Sequence, residues 1–272
     1  MTKISAVVLG VIAVVAVTAR WIAPYGANDV DVPNALRPPS WTHVFGTDEL
    51  GRDIFSRVLV ATQASLEIAV ASVAFAFVVG VAIGIVSGYQ GGWLDTVLMR
   101  VVDVMFAFPV LLLALVIVAV LAPGTTTTIL AIGIVYTPIF ARVARASTLS
   151  VRVEPYVAVS RTMGTGRGYI LGRHVLPNIA GPVIVQTSLS LAFAILSEAA
   201  LSFLGLGIQP PEPSWGRMLF DAQGFLQRAW WMSVFPGLAI LVTVLAFNLL
   251  GDGLRDALDP KQRTIIEARR RQ

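Results

Sequence analysis

The sequence predicts an all-α membrane protein with six transmembrane helices. The first observation is composition: 56% of the residues are hydrophobic and 13% are charged, whereas soluble domains have about 25% charged residues. The second is a series of apolar runs long enough to cross a hydrocarbon core of about 30 Å. The third is arginine, which is concentrated in alternate polar segments as the positive-inside bias requires.

The first span is predicted within residues 1–23. An apolar run over residues 4–19 just crosses the hydrocarbon core. A cleavable signal peptide is the alternative, because Val17-Thr18-Ala19 is a weak small-residue cleavage site. The near-spanning length of the run favours a retained helix.

Residues 24–62 are predicted to form an extracytoplasmic segment, because they are polar, acidic and contain prolines. Near its end, Ile54, Phe55 and Val58 have the spacing of an apolar stripe on a surface helix. Asp48 is available as the N-cap of that helix. We expect an interfacial helix that anchors the next span, with direct contact to a substrate as the alternative.

Residues 63–252 are predicted to be a five-helix core. The predicted spans are residues 68–86, 104–122, 129–146, 179–206 and 230–250. Pro109 should kink the second of these. Arg142 and Arg145 require the inner end of the third to be shielded by protein or to leave the bilayer. The fourth is longer than one perpendicular crossing, so tilt, a break near Pro182 or an emergent end is expected.

Residues 152–178 are the only long polar-rich interruption in the second half of the chain. They contain Arg152, Arg161, Arg167 and Arg173, with Arg145 just upstream. Pro155 suits the first turn of a short helix that Gly164 can end. A second short helix, roughly residues 167–176, should stop at Pro177. Two short helices joined by glycines form a protrusion that another protein could bind.

The distribution of basic residues predicts the topology. With the N-terminus inside and six spans, the cytoplasmic segments hold fourteen of the 20 lysines and arginines, and the outer segments hold six. This bias places both termini, residues 152–178 and the basic tail (residues 253–272) in the cytoplasm. Residues 207–229 then form a second outer segment, where a proline cluster should fold the chain back at the membrane surface.

Several functions are excluded by what the chain lacks. There is no cysteine, which excludes disulfides, thiolate metal sites and cysteine nucleophiles. Two histidines, His43 and His174, are too few for a histidine-rich metal site. Neither Lys3 nor Lys261 belongs to a phosphate-binding loop. We therefore expect no cofactor, no metal and no catalysis in this chain, and the net charge of +4 reflects topology rather than nucleic-acid binding.

Three acidic residues lie within or beside hydrophobic spans: Glu67, Asp103 and Glu198. A charge at mid-bilayer costs at least ~2.5 kcal/mol, so these side chains should face water, a partner or a translocation path. All three are candidates for a path or gate, although helix packing or contact with another subunit is the favoured alternative for Glu198. Asp103 could instead pair with Arg100, one helical turn away.

Small residues recur every four positions along the second span, at Gly80, Gly84 and Gly88. Such a stripe permits close helix packing, either within the chain or against a partner. A substrate groove is the alternative.

The polar segment also resembles a known motif. Ala158-Val159-Ser160, followed by Gly164 and then by Leu176-Pro177, resembles the EAA loop of ABC importer permeases, with Ala158 in place of the usual glutamate. The pattern G-T-D-x-x-G-R-D-x-x-S-R from Gly46 to Arg57 resembles the C-type subunit of dipeptide, oligopeptide and nickel permeases. The stretch from Glu198 to Gly216 resembles the same subunit.

The resemblance implies a type I ABC importer permease fold with a cytoplasmic coupling-helix loop. Its ATPase-coupling residues would be Tyr156, Ala158, Ser160, Gly164, Arg167, His174 and Pro177. The implied partners are a homologous second permease, two ATPase subunits that bind the ATP, an external substrate-binding protein and the lipid bilayer of a bacterial inner membrane. The implied cargo is a peptide, with nickel or another small solute as the alternative.

Two other classes of protein are weighed against this resemblance. An ion-driven secondary transporter would need intramembrane ionisable pairs and usually repeated halves, and neither is evident in the sequence. An intramembrane enzyme would need a paired base or a metal set, which is also missing. Both alternatives are therefore weaker than the importer permease.

Overall fold

The computed structural model describes residues 2–258, which form ten α-helices and no β-sheet. The helices are α1 (Thr2–Ile22), α2 (Ile54–Gln90), α3 (Gly92–Phe106), α4 (Val110–Leu121), α5 (Thr125–Arg152), α6 (Pro155–Thr162), α7 (Arg167–Ile170), α8 (Leu176–Phe203), α9 (Trp215–Ala222) and α10 (Trp231–Leu258). Residues 259–272, which include most of the predicted basic tail, lie outside the described residues.

Five of the described helices are long and apolar enough to cross a membrane. They are α1, α2, α5, α10 and a 37-residue helix, Arg167–Phe203, that joins α7 to α8. Two shorter helices, α3 and α4, meet at 91° and together could form a sixth, bent span. The predicted all-α fold with six spans is confirmed when the bent pair is counted as one.

The core of the bundle is the contact between α2 and α5, which pack along most of their length. The predicted glycine stripe lies at this contact. A Cβ on Gly80 would come within 2.5 Å of the Thr137 carbonyl oxygen, and one on Gly84 within 2.4 Å of the Ala141 carbonyl oxygen. The stripe therefore serves close helix packing within the chain, as predicted, because the backbone of α5 occupies the space of the missing side chains.

Different connecting segments lie at the two ends of the helix bundle. We call the end that holds residues 152–178 the basic end, and the end that holds residues 23–53 and α9 the loop end. Thr2 packs against Gly253, and Leu258 approaches Gly181. The start of α1 and the end of α10 therefore lie together with the start of α8 at the basic end.

At the loop end, α2 starts differently from the prediction. Its N-cap is Asp53, whose carboxylate accepts a hydrogen bond from the Ser56 N–H at 2.8 Å. The prediction that Asp48 is the N-cap was wrong. Its carboxylate instead accepts hydrogen bonds from the backbone N–H and the side chain of Arg52. The predicted separate surface helix was also wrong, since the helix that begins at Ile54 runs without a break to Gln90.

The predicted kink at Pro109 is a complete break. Residues 107–109 separate α3 from α4, and Pro109 is the N-cap of α4 with ψ of 131°. Proline disfavours helical geometry in the residue before it and cannot donate a backbone hydrogen bond, so both effects interrupt the helix at one place.

The prediction that Pro177 ends a helix was wrong. A π-helical turn, Leu171–Val175, follows α7 and leads directly into α8, where Pro177 occupies the first turn. Pro177 therefore does not interrupt the helix, which is continuous from Arg167 to Phe203 through the π-helical turn. The helix also continues through Pro182, so a break there, one of the three alternatives for this long span, does not occur.

Candidate functional site at the basic end

The coupling segment, residues 152–178, is anchored by a few apolar side chains. Val157, Ile170 and Val175 are completely buried. As predicted, Pro155 begins α6, and Gly164 follows its end with φ of +77°, a conformation that glycine adopts without steric cost. The segment therefore comprises the short helix α6, a glycine turn and the start of the long helix that contains α7 and α8, and three buried residues fix it to the bundle.

His174 joins the two halves of the coupling segment. Its Nε2 lies 3.2 Å from the hydroxyl of Ser160 on α6. The rings of Tyr156 and Tyr169 have their centroids 5.6 and 6.0 Å from the imidazole. The Asn178 amide donates a hydrogen bond to the His174 carbonyl at 2.6 Å. His174 thus holds α6 against the long helix α7–α8 from a half-buried position.

The structure brings the predicted coupling residues to the same end of the molecule. Exposed members are Tyr156, Ala158, Gly164, Arg167 and Pro177, and half-buried members are Ser160 and His174. Large apolar side chains beside them are also open, with Val159 57% and Met163 79% exposed. An exposed surface that combines apolar and basic side chains is suited to docking another protein.

Both arginines near the end of α5 form ion pairs with α3. Arg145 forms a bidentate pair with Asp95 of α3, with nitrogen to oxygen distances of 2.6 and 2.7 Å. Arg142 pairs with Asp103 at 2.6 Å. Arg145 is partly shielded by protein, whereas Arg142 is exposed. The pairing of Asp103 with Arg100 was wrong, because α3 and α5 meet here and Arg142 reaches across.

Glu198, a candidate path residue, lies inside the subunit. Its side chain has no exposed surface, and its Oε1 accepts a hydrogen bond from the Ser202 hydroxyl at 2.7 Å. Its Oε2 is buried without a hydrogen-bond partner among the described residues. A side chain that is wholly enclosed by the subunit favours packing rather than contact with a path.

Glu67 and Asp103 are exposed, but no contact in the described residues joins them to Glu198. Glu67 borders a cavity of about 200 Å³ near the loop end, together with Gln63, Arg20 and Glu212. Asp103 lies near the basic end in its pair with Arg142. The three acidic candidates are therefore not brought together, and their role in a path stays a prediction.

Sequence reasoning did not predict a buried charge cluster at the loop end. Arg52 and Arg57 both face the Asp48 carboxylate, with nitrogen to oxygen distances of 2.6 and 3.6 Å. Burial, with the nearby Asp48 charge, raises the pKa of the Glu49 carboxyl. The high density of charged residues between Gly46 and Arg57 is the sequence feature that could have indicated this cluster. Among residues 2–258, no group of three potential ligands could hold a metal ion.

Long apolar helices with an exposed basic segment at one end define a multi-pass membrane protein. Residues 80–264 match the family described as binding-protein-dependent transport system inner membrane component. The chain belongs to this family. Its members are permease subunits of ABC importers, which work with ATPase and substrate-binding partners, so the recognition made from the sequence is confirmed.

Relatives with known roles match nearly the whole chain. The dipeptide transport system permease protein DppC of Alkalihalophilus pseudofirmus is 43% identical over 92% of this chain and 82% of its own length. The di/tripeptide permease protein DppC of Pseudomonas aeruginosa is 46% identical over 90% and 83%. The glutathione permease protein GsiD of Escherichia coli is 48% identical over 96% and 86%.

Solved structures share the fold at low sequence identity. An inward-facing form of the MetNI methionine ABC transporter superposes with a TM-score of 0.62 at 17% identity, over 74% of this chain and 96% of that one. An amino acid ABC transporter crystallised with histidines gives a TM-score of 0.54 at 16% identity, over 71% and 90%. The predicted type I permease fold is thereby confirmed.

Proposed function

We propose that this chain forms half of the translocation path of an ATP-driven peptide importer. The three relatives above are named for dipeptides, di- and tripeptides and glutathione, which are all short peptides. Their high coverage and 43 to 48% identity favour a peptide over nickel or another small solute. The other half of the path would come from a homologous permease, and the peptide from an external binding protein.

The coupling segment carries the proposal. In this assignment two partner ATPase subunits bind and hydrolyse ATP, one of them docks on the exposed face around Val159 and Met163, and this chain is not catalytic and holds no cofactor. Both termini and the coupling segment lie in the cytoplasm. The grouping of the start of α1 and the end of α10 at the basic end supports this arrangement.

The contacts of the coupling segment suggest how force would reach the bundle. Arg152 donates hydrogen bonds to the carbonyl oxygens of Gly88 and Tyr89 at 3.1 and 3.3 Å. The Arg161 guanidinium lies over the Tyr89 ring, 5.1 Å from its centroid. Both arginines therefore hold the end of α2, which runs 37 residues to the loop end. ATPase closure that displaces the segment would tilt α2 with its packed partner α5 and open the path.

The docking claim is tested by placing charges on the exposed face. The double variant Val159→Asp, Met163→Asp should lose co-purification of the ATPase subunit and keep membrane insertion, because neither side chain is buried. Val32→Asp is the matched control, since Val32 is also exposed, at 63%, but at the loop end. Deletion of residues 154–173 should have the same effect as the double variant. Undiminished co-purification would remove the coupling role.

The substrate class is tested by uptake. Cells that contain the complete importer should take up a labelled dipeptide, and cells that lack only this chain should not. Competition by excess unlabelled dipeptide, and none by nickel, is the expected pattern. Nickel uptake that depends on this chain while peptide uptake does not would reject the peptide assignment.

A further inference from the structure

A basic cavity lies between the coupling segment and the corner where α2 meets α3. Its volume is about 610 Å³, and one side is formed by residues 89–94. Arg152, Arg161 and Arg167 line the other side. The proposed docking residues Val159 and Met163 do not line this cavity, although two of the predicted coupling residues, Gly164 and Arg167, do.

The cavity has excess positive charge. None of the three arginines forms an ion pair with a carboxylate among residues 2–258. Asp95 is close in sequence to the lining residues, but both of its oxygens are engaged by Arg145. Arg152 and Arg161 are held in place by the end of α2. Fixed guanidinium groups without a carboxylate partner are suited to a phosphate.

An apolar surface continues directly from the cavity. Trp93 lines the cavity and is 75% exposed. It begins a row on one face of α3 that continues through Val97, Val101 and Val104, which are 49, 57 and 55% exposed. Tryptophan is enriched at the membrane interface, with apolar residues beyond it facing lipid chains. A ligand that fits both parts has an anionic head and an apolar tail.

We propose that this cavity binds the phosphate headgroup of an anionic phospholipid whose acyl chains lie along α3. The inference rests on the proposed cytoplasmic position of the coupling segment, which places the cavity at the inner leaflet. A bound headgroup would bridge the corner of α2 and α3 to the moving segment. The anionic lipid content of the membrane would then influence how firmly the segment is held.

The test measures lipid retained by the complete importer in nanodiscs of phosphatidylcholine with a minor fraction of phosphatidylglycerol. Native mass spectrometry counts the phosphatidylglycerol bound by the wild type and by Arg161→Gln, Arg167→Gln. Each basic residue near an anionic surface contributes roughly a fivefold factor, so the double variant should bind on the order of 30-fold less tightly. Arg173→Gln is the control, because Arg173 is exposed on the same segment outside the cavity and should not change retention.

Three results would overturn the proposal. Equal retention in the wild type and the double variant would show that the arginines hold no lipid. Displacement by inorganic phosphate as effectively as by phosphatidylglycerol would indicate a site for a free anion. Retention in the permease pair alone, but none once ATPase subunits are bound, would show that the partner fills the cavity in the assembled importer. ATPase co-purification is scored separately, so failure of the coupling role is distinguishable from failure of the lipid site.

Discussion

Glu198 is a single buried residue on which the stability of its surroundings depends. Its Oε1 accepts a hydrogen bond from the Ser202 hydroxyl on the same helix, while its Oε2 makes none within the described part of the chain. Replacing it with alanine leaves the buried Ser202 hydroxyl without that acceptor, which costs about 1–3 kcal/mol. We expect Glu198→Ala to lower the unfolding temperature in detergent, and Glu67→Ala, at an exposed position of α2, to leave it unchanged.

Glu198→Gln should keep both assembly and uptake. Loss of uptake in that variant with intact assembly would instead make Glu198 a path residue.

Glu49 should give the loop end a measurable pH dependence. Its pKa is raised in the folded chain, chiefly by burial and then by the Asp48 charge. The folded state therefore disfavours the carboxylate, and stability is lost as pH rises from the ordinary glutamate pKa of about 4.3 through the raised value. Glu49→Gln should be more stable than the wild type at neutral pH, and the difference should vanish below about pH 4. Unfolding followed against pH checks this, with exposed Glu212→Gln as control. A constant difference across pH would contradict it.

Some residue-level features could not be predicted, because they depend on contacts distant in sequence. Asp48 and Asp53 both precede a helix and both suit an N-cap. The choice between them is made by Arg52 and Arg57, which occupy the Asp48 carboxylate. Asp103 likewise pairs with Arg142, 39 residues away, a contact that exists only because α3 and α5 meet.

At the scale of elements, the contact of α2 with α5 depends on missing side chains. A Cβ on Gly84 would lie 2.4 Å from the Ala141 carbonyl oxygen, so Gly84→Ala must push the helices apart. Such overpacking typically costs 1–3 kcal/mol. Gly237→Ala in α10 is the matched control, because nothing lies within 4 Å of its Cβ position. Thermal unfolding in detergent should show a clear loss for Gly84→Ala and none for Gly237→Ala. Equal stability would mean that the two helices are not in tight contact.

The positions of the helices in the structure agree closely with the apolar runs in the sequence. The residues at which the helices begin and end were predicted less well. Hydropathy fixes where a helix must cross lipid, because an unpaired backbone is not tolerated there. It does not fix what happens at the interface. Pro109 separates two helices at 91°, whereas Pro177 lies within a continuous helix, directly after a π-helical turn. Proline therefore ends a helix at one position and is accommodated in a helix at the other. The difference depends on the backbone conformation around each proline.

For the whole molecule, the order of the helices and the motif at residues 152–178 were predictable, and so was the family. Each of these rests on a pattern that is local in sequence. The basic cavity was not predictable, because it combines the corner of α2 and α3 with arginines some 60 to 75 residues further along the chain. The loop end was also missed in part, since its buried charges became apparent only from their pairing.

The orientation of the bundle can be tested with single cysteines, because the chain has none of its own. Trp41 is fully exposed at the loop end, and Gly166 in the coupling segment has nothing within 4 Å of its Cβ position. In intact cells or spheroplasts, a membrane-impermeant maleimide should label Trp41→Cys and spare Gly166→Cys. In inside-out vesicles the pattern should reverse. Asp256→Cys, near the end of α10, should follow Gly166→Cys, because both lie at the basic end. Labelling of Gly166→Cys from outside would place the coupling segment away from any cytoplasmic ATPase and refute the import mechanism.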